Sequence, residues 1–172
     1  SINPQTMNDE TLRRIGRDHT AAQTVEAFRM AREIGFTNIN MDVIAGLPGE
    51  SNEMFEDSLK RLIKLNPEGI TVHTLCVKRA AELKQKLEKD AVVLGFASQM
   101  VDTSYSLLKD AGYIPYYMYR QKDTLDNLEN TGYSKRGKEC LYNVFMMEDM
   151  GSVIGIGGGS VSKIIDPKTD RI

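Results

Sequence analysis

No stretch of this 172-residue chain approaches the roughly 18 to 20 uninterrupted apolar residues that a membrane-crossing helix requires. The opening SINPQTMNDE also lacks the basic-then-apolar layout of a secretory leader, so the expectation is a cytoplasmic protein with no membrane span. Cysteine is scarce. Cys76 and Cys140 are too few for a disulfide framework and too far apart for a local metal knuckle, which suits a reducing compartment. Neither has activating neighbours in the sequence, so packed thiols are expected rather than a redox pair. A net charge of −2 gives no basic field for a nucleic-acid backbone, which excludes that class of partner. Repeats and low-complexity tracts are absent. What is there, 41% hydrophobic and 27% charged residues, suffices for one compact domain with its own core.

The local patterns alternate between helix and strand. Thr20, followed three residues later by Gln23, is a capping box, and Val25, Phe28 and Ala31 mark one stripe of a helix running to Ile34 and closed by Gly35. Ile39, Met41 and Val43 then alternate with Asn40, Asp42 and Ile44, the period of a strand. AGLPGE breaks it. From Ser51 to Leu65 acidic residues come early and basic ones late, the order a helix dipole favours, with Phe55, Leu59 and Leu62 on the buried face. Ile70 to Leu75 is short and β-branched, a second strand. With a further unit entered from SINPQ, these are βα repeats whose parallel strands need right-handed crossovers, so the class is α/β. A helix is expected from about Ala91 to Ala111, and a solvated connection or loosely held helix over Lys84 to Asp90. Strands are expected at Ile114–Tyr119 and Val153–Ile156, with another over Val161–Ile165, as an antiparallel extension of the sheet.

The strand parity isolates candidate site residues. If Ile39, Met41 and Val43 pack under helices, then Asn40, Asp42 and Ile44 face the other way, where polar side chains need partners or a ligand. An internal hydrogen-bond network and a binding site both answer that need. Asp42 lies near the carboxyl end of its strand, where barrel active sites are built. Gly46 and Gly49 around Pro48 allow backbone to approach a ligand closely. GIGGGS at 155–160 lacks the lysine and spacing of a phosphate loop and is a flexible turn or a backbone approach to a cofactor. His19 precedes a cap and reads as a surface or capping residue. His73 shares a face with Thr71 and Leu75, opposite Ile70 and Val72, either as a hydrogen-bonded core histidine or as a proton donor or substrate contact. Tyr113, Tyr116, Tyr117 and Tyr119 form a cluster that suits core and sheet surface, or a flat aromatic ligand.

Taken in order, SINPQTMNDETLRRIGRDHT, GFTNINMDVIAGLPGE, ITVHTL, YYMYRQKDTLDNLENTGY and LYNVFMMEDMGSVIGIGGGSVSK cover essentially the whole chain. Together they resemble the radical S-adenosylmethionine family of oxygen-independent coproporphyrinogen III oxidases, specifically its coproporphyrinogen dehydrogenase (HemZ) branch. The resemblance implies the C-terminal part of a partial (β/α)6 barrel over 1–111 and a β-rich extension over 112–172. It also implies that Gln5, Arg17 and Asp42, spaced by 12 and 25 residues, contact S-adenosylmethionine, with Ile44 on the adenine side. The chemistry is apt: a carboxylate accepts from ribose hydroxyls, an amide gives or accepts, and a guanidinium meets a carboxylate with two donors. Tyr142, Asn143 and Val161 fall near family positions lining the substrate or a second cofactor site, and His73 joins them as a substrate candidate.

The family's CxxxCxxC loop, whose thiolates hold three irons of a 4Fe-4S cluster, is absent from these residues, so the chain carries no metal ligands of that kind. The resemblance therefore implies a C-terminal portion of a longer enzyme, with the cluster held by residues upstream and no radical chemistry by this portion alone. The implied reaction of the whole is oxidative decarboxylation of coproporphyrinogen III to protoporphyrinogen IX in haem biosynthesis, with flavodoxin or ferredoxin as electron donor. The alternative is the haem chaperone of a related branch. That branch carries HNxxYW where this sequence reads YNVFMM.

Overall fold

The structure is a computed structural model that describes residues 1–76, 96–120, 128–148 and 151–165. The elements, in chain order, are β1 (Ile2–Gln5), α1 (Asp9–Arg14), α2 (Ala21–Ile34), β2 (Asn40–Ala45), α3 (Asn52–Leu65), β3 (Gly69–Thr74), α4 (Phe96–Asp110), β4 (Ile114–Tyr119), β5 (Asn130–Ser134) and α5 (Leu141–Met147). The sheet runs β1-β2-β3-β5-β4. Its first three strands are parallel, and β5 pairs antiparallel with β3 on one side and β4 on the other. The class is α/β with a mixed sheet, as the strand and helix patterns imply.

Local chemistry explains where each element starts and stops. The Thr20 hydroxyl accepts the Gln23 N–H at 3.2 Å while the Gln23 side chain accepts the Thr20 N–H at 2.9 Å, which satisfies donors that the first turn of α2 leaves free. Gly35, at φ 104°, closes that helix in the left-handed region. We expect Thr20→Ala to lower the urea midpoint by the equivalent of about 1 kcal/mol with an unchanged slope, since the helix loses a cap but no core contact. In α3 the Ser51 hydroxyl accepts from Met54 N, and Asn66 takes the left-handed cap at φ 60°. Asparagine tolerates that conformation better than most residues.

Strand parity sets the core. Met41 and Val43 of β2 stand beside Ile70 and Val72 of β3, and all four are buried against Phe28 of α2, Phe55, Leu59 and Leu62 of α3, and Met100 and Leu108 of α4. Asn40, Asp42 and Ile44 lie on the opposite face, each half-buried. Along β2 the burial alternates residue by residue, as a strand covered by helices on one side requires. At the carboxyl ends of the strands a smaller apolar cluster of Leu47, Leu75 and Ala97 gathers Ile15, Ile44 and Leu128 around it.

Several elements differ from the sequence expectation. β5 was not read from ENTGYS, although it lies between β3 and β4 and carries the sheet outward. The expected strand at Ile114–Tyr119 is present as β4 and, through β5, extends the same sheet antiparallel, as the sequence implies. Contacts divide the chain into Ser1–Lys138 and Glu139–Ile172. In the second unit the expected strands at 153–156 and 161–165 reduce to one antiparallel bridge between Val153 and Lys163. The apolar residues there, Ile154, Ile156, Val161 and Ile164, are exposed, and nothing among the described residues extends the pairing. The expectation for Lys84 to Asp90 lies outside the described residues, as does the first part of the helix expected from Ala91. Among the described residues no helix is long and apolar enough to cross a membrane.

Candidate functional site

The face of β1, β2 and β3 opposite the helices carries a connected row of polar groups. Asp42 is at its centre. Its Oδ1 accepts from Asn40 Nδ2 at 2.6 Å, and Ser1 Oγ donates to Oδ2 over a longer 3.4 Å. Asn40 in turn accepts from Thr71 Oγ1 at 3.1 Å, so one oxygen of the carboxylate is fixed through a two-residue chain while the other is loosely held. The Asp42 side chain is 17% exposed. It is therefore oriented by its neighbours yet reachable from outside, as a carboxylate that accepts ligand hydroxyls must be.

Across the register from Ile44 stands His73, whose Nε2 lies 4.0 Å from Asp42 Oδ1. Its Nδ1 lies 3.4 Å from the phenol of Tyr119, and the two rings meet edge-on. Burial holds the imidazole below its usual pKa, against an opposing pull from Asp42. Burial likewise raises the Tyr119 phenol, with Asp42 adding to the effect. Tyr117 lies parallel to Tyr119 at 6.1 Å between ring centres, and burial pushes its hydroxyl up to about 12. A Cβ on Gly132 would fall 1.9 Å from the Tyr117 ring, so glycine in β5 makes room for it.

Gln5 ends β1 with φ 67°, a left-handed conformation that costs a residue other than glycine on the order of 1 kcal/mol or more. The strand pairing is irregular there, and among the described residues the side-chain amide donates to Asn3 O alone, at 3.5 Å. Such local strain is concentrated at ligand-binding positions. Arg17 lies after α1, exposed, its backbone N–H bonded to Leu12 O at 2.9 Å. Among the described residues its guanidinium forms no ion pair with Asp42, so the structure brings Asp42 and His73 together and leaves Arg17 free. Ile44 packs at the edge of the apolar cluster around Leu47 and Leu75. Tyr142, Asn143 and Val161 belong to the second unit, where Tyr142 and Val161 are exposed and Asn143 is half-buried in α5.

Sequence reasoning placed Tyr119 in a tyrosine cluster without linking it to Asp42 and His73, and it missed Glu50. The link for Tyr119 depends on the strand order and on the register shift in β4 between Pro115 and Tyr117. Glu50, read from sequence as part of a turn, is 5% exposed and accepts the Thr6 hydroxyl at 2.5 Å. Its other oxygen has no partner among the described residues. Ser58 Oγ of α3 lies 3.1 Å from the same Thr6 hydroxyl and accepts from Met7 N, so the end of β1, the turn after β2 and α3 are joined at one buried polar knot.

Residues 1–62, which hold Gln5, Arg17, Asp42 and Ile44, match the radical SAM superfamily. The first part of the chain is thus similar to part of a radical SAM domain. Over its whole length the chain is 49% identical to the oxygen-independent coproporphyrinogen-III oxidase-like protein HemZ of Bacillus subtilis (strain 168), covering 34% of that protein. It is 29% identical to the heme chaperone HemW of Haemophilus influenzae over 97% of this chain and 40% of that one. The solved coproporphyrinogen III oxidase HemN of Escherichia coli shares the fold, with a TM-score of 0.54 and 24% identity over 85% of this chain and 31% of HemN. The chain therefore spans about a third of the length of these relatives. The resemblance to the HemZ and HemN group of radical SAM proteins and the partial radical-SAM-type α/β fold both hold.

The two cofactors of a radical SAM protein fit this chain differently. Asp42, with one oxygen anchored and one loosely held, suits a ribose, and Arg17, exposed and in no ion pair among the described residues, suits a carboxylate. For an iron–sulfur cluster there is no fit. Among the described residues no three histidine, cysteine, aspartate or glutamate side chains are gathered, and Cys76 and Cys140, neither in a disulfide, cannot supply three thiolates.

Proposed function

We propose that the protein to which this chain belongs is a radical SAM coproporphyrinogen dehydrogenase of haem biosynthesis, which oxidatively decarboxylates propionate side chains of coproporphyrinogen III to the vinyl groups of protoporphyrinogen IX. The observation that carries this reading is the orientation of Asp42. It faces away from the helices, its Oδ1 is pinned by Asn40 at 2.6 Å, and it lies on a chain segment that matches the radical SAM superfamily. The 49% identity to a protein described as coproporphyrinogen-III oxidase-like supports the substrate class.

In this reading S-adenosylmethionine and a 4Fe-4S cluster held outside this chain supply the hydrogen-abstracting radical. The chain's own residues bind and orient. Asp42 accepts the ribose hydroxyls, Gln5 gives or accepts a further hydrogen bond, Arg17 meets a carboxylate with two donors, and Ile44 packs on the apolar side of the adenine. His73, Tyr142, Asn143 and Val161 are substrate contacts. The electron donor is a flavodoxin or ferredoxin, and the location is the cytoplasm.

The second reading, a haem chaperone, is favoured by the match to HemW over 97% of the chain. The test is product analysis with the reconstituted full-length protein, S-adenosylmethionine, a reductant and coproporphyrinogen III. Appearance of a vinyl-bearing product with loss of carbon dioxide supports the dehydrogenase. Stable stoichiometric haem binding without vinyl formation replaces it with the chaperone.

A further inference from the structure

Asp42 does not act alone. It is the end of a line of three side chains on three strands: Asp42 on β2, His73 on β3 and Tyr119 on β4, linked at 4.0 Å and 3.4 Å. The order of protons along that line follows from electrostatics. A carboxylate facing Nε2 favours the tautomer that carries its hydrogen there, which leaves Nδ1 as an acceptor, so the Tyr119 hydroxyl donates to it. Tyr119 thus sets the tautomer and His73 presents an N–H toward Asp42. At 4.0 Å that approach is too long for a direct hydrogen bond, so a neutral His73 leaves Asp42 Oδ1 to Asn40 and the second oxygen to a ligand.

We propose that His73 is a positioning residue for Asp42: neutral, it leaves the carboxylate oriented for ligand hydroxyls, and protonated, it draws the carboxylate into an ion pair and weakens ligand binding. This rests on the reading of Asp42 as a ribose-binding residue. Geometry makes the choice two-sided, because 4.0 Å is near enough to close into a charged pair by a small side-chain rotation. Among the described residues the titratable groups facing the imidazole are Asp42 from β2 and Tyr119 from β4, with Tyr117 beyond it; from β5, Asn130 is neutral and its Oδ1 accepts Thr74 N. The lowered proton affinity of His73 keeps the neutral, permissive form dominant at neutral pH.

The test is equilibrium binding of S-adenosylmethionine to the full-length holoprotein between pH 5.5 and 8, with the cluster absorbance recorded to confirm that the cluster is intact. The wild type should lose affinity by about tenfold toward the acid end, a modest coupling between linked groups. His73→Gln should flatten the profile. Tyr119→Phe removes a hydrogen bond that favours the neutral imidazole, so the midpoint should move to higher pH. A flat wild-type profile, or a His73→Gln profile as steep as the wild type, overturns the proposal, and an unmoved midpoint in Tyr119→Phe removes Tyr119 from it. Asp42→Asn separates the two levels. If it leaves affinity unchanged at pH 8, the ribose reading itself fails; if it weakens binding while His73→Gln keeps the wild-type profile, only the positioning role fails.

Discussion

Asp42→Asn in the full-length protein should weaken S-adenosylmethionine binding by about 10- to 100-fold, because hydrogen bonds to a charged group contribute roughly 1.5–3 kcal/mol and tenfold corresponds to about 1.4 kcal/mol. The substitution is chosen to spare the fold. Asparagine keeps an oxygen to accept from Asn40 Nδ2, and its new amide can donate to Ser1 Oγ where Oδ2 now accepts. What it loses is the charge and the capacity of the outer atom to accept from two neighbouring hydroxyls. The thermal midpoint should therefore stay near that of the wild type while the dissociation constant moves. Unchanged affinity would return Asn40, Asp42 and Thr71 to an internal hydrogen-bond network with no ligand. Arg17→Lys makes a useful companion. Lysine keeps the charge but not the two-pronged geometry, so it should lose part of the affinity if a carboxylate is gripped at that position.

The features legible in the sequence are those fixed by neighbours in the chain. Thr20 and Gln23 are three residues apart and cap each other, so the start of α2 is readable. Strand parity places Asp42 opposite Met41 and Val43 once the helices flanking β2 are recognised, and the burial pattern follows it residue by residue. The unreadable features depend on partners distant in sequence. Asn130–Ser134 contains Asn and Gly, a turn-like composition, yet it is a strand because β3 and β4 flank it and because Asn130 Oδ1 accepts the Thr74 N–H at 2.7 Å. Gly132 is tolerated there because the Tyr117 ring covers it. Conversely, the alternating apolar residues from Val153 to Ile165 pattern like strands but among the described residues find no strand partner beyond one bridge. His73 and Tyr119 are 46 residues apart, and only the strand order brings them together.

Glu50 supplies the other large effect, and its sign is unusual for a carboxylate. Burial pushes its pKa from 4.5 up to about 7, against the hydrogen bond from Thr6 that favours the ionised form. A group whose folded pKa lies above its unfolded one stabilises the fold fully below the unfolded value, and that contribution is lost as pH rises through the folded value. The window is therefore about pH 4.5 to 7. The loss across it is about 3 kcal/mol as an order of magnitude, at about 1.4 kcal/mol per unit. Glu50→Gln removes the titration while its remaining oxygen can still accept from Thr6. At pH 4.5 the variant should be slightly less stable than the wild type, since its amide lacks a partner where Oε2 has none. By pH 8 the order should reverse, with the stability difference between variant and wild type shifting by about 3 kcal/mol in the variant's favour, read from urea unfolding at each pH. A difference that stays constant from pH 4.5 to 8 would mean that the carboxylate ionises normally in the folded protein. The knot of Thr6, Glu50 and Ser58 would then admit enough water to solvate the charge, and the junction of β1, the GLPGE turn and α3 would be looser than its buried side chains indicate.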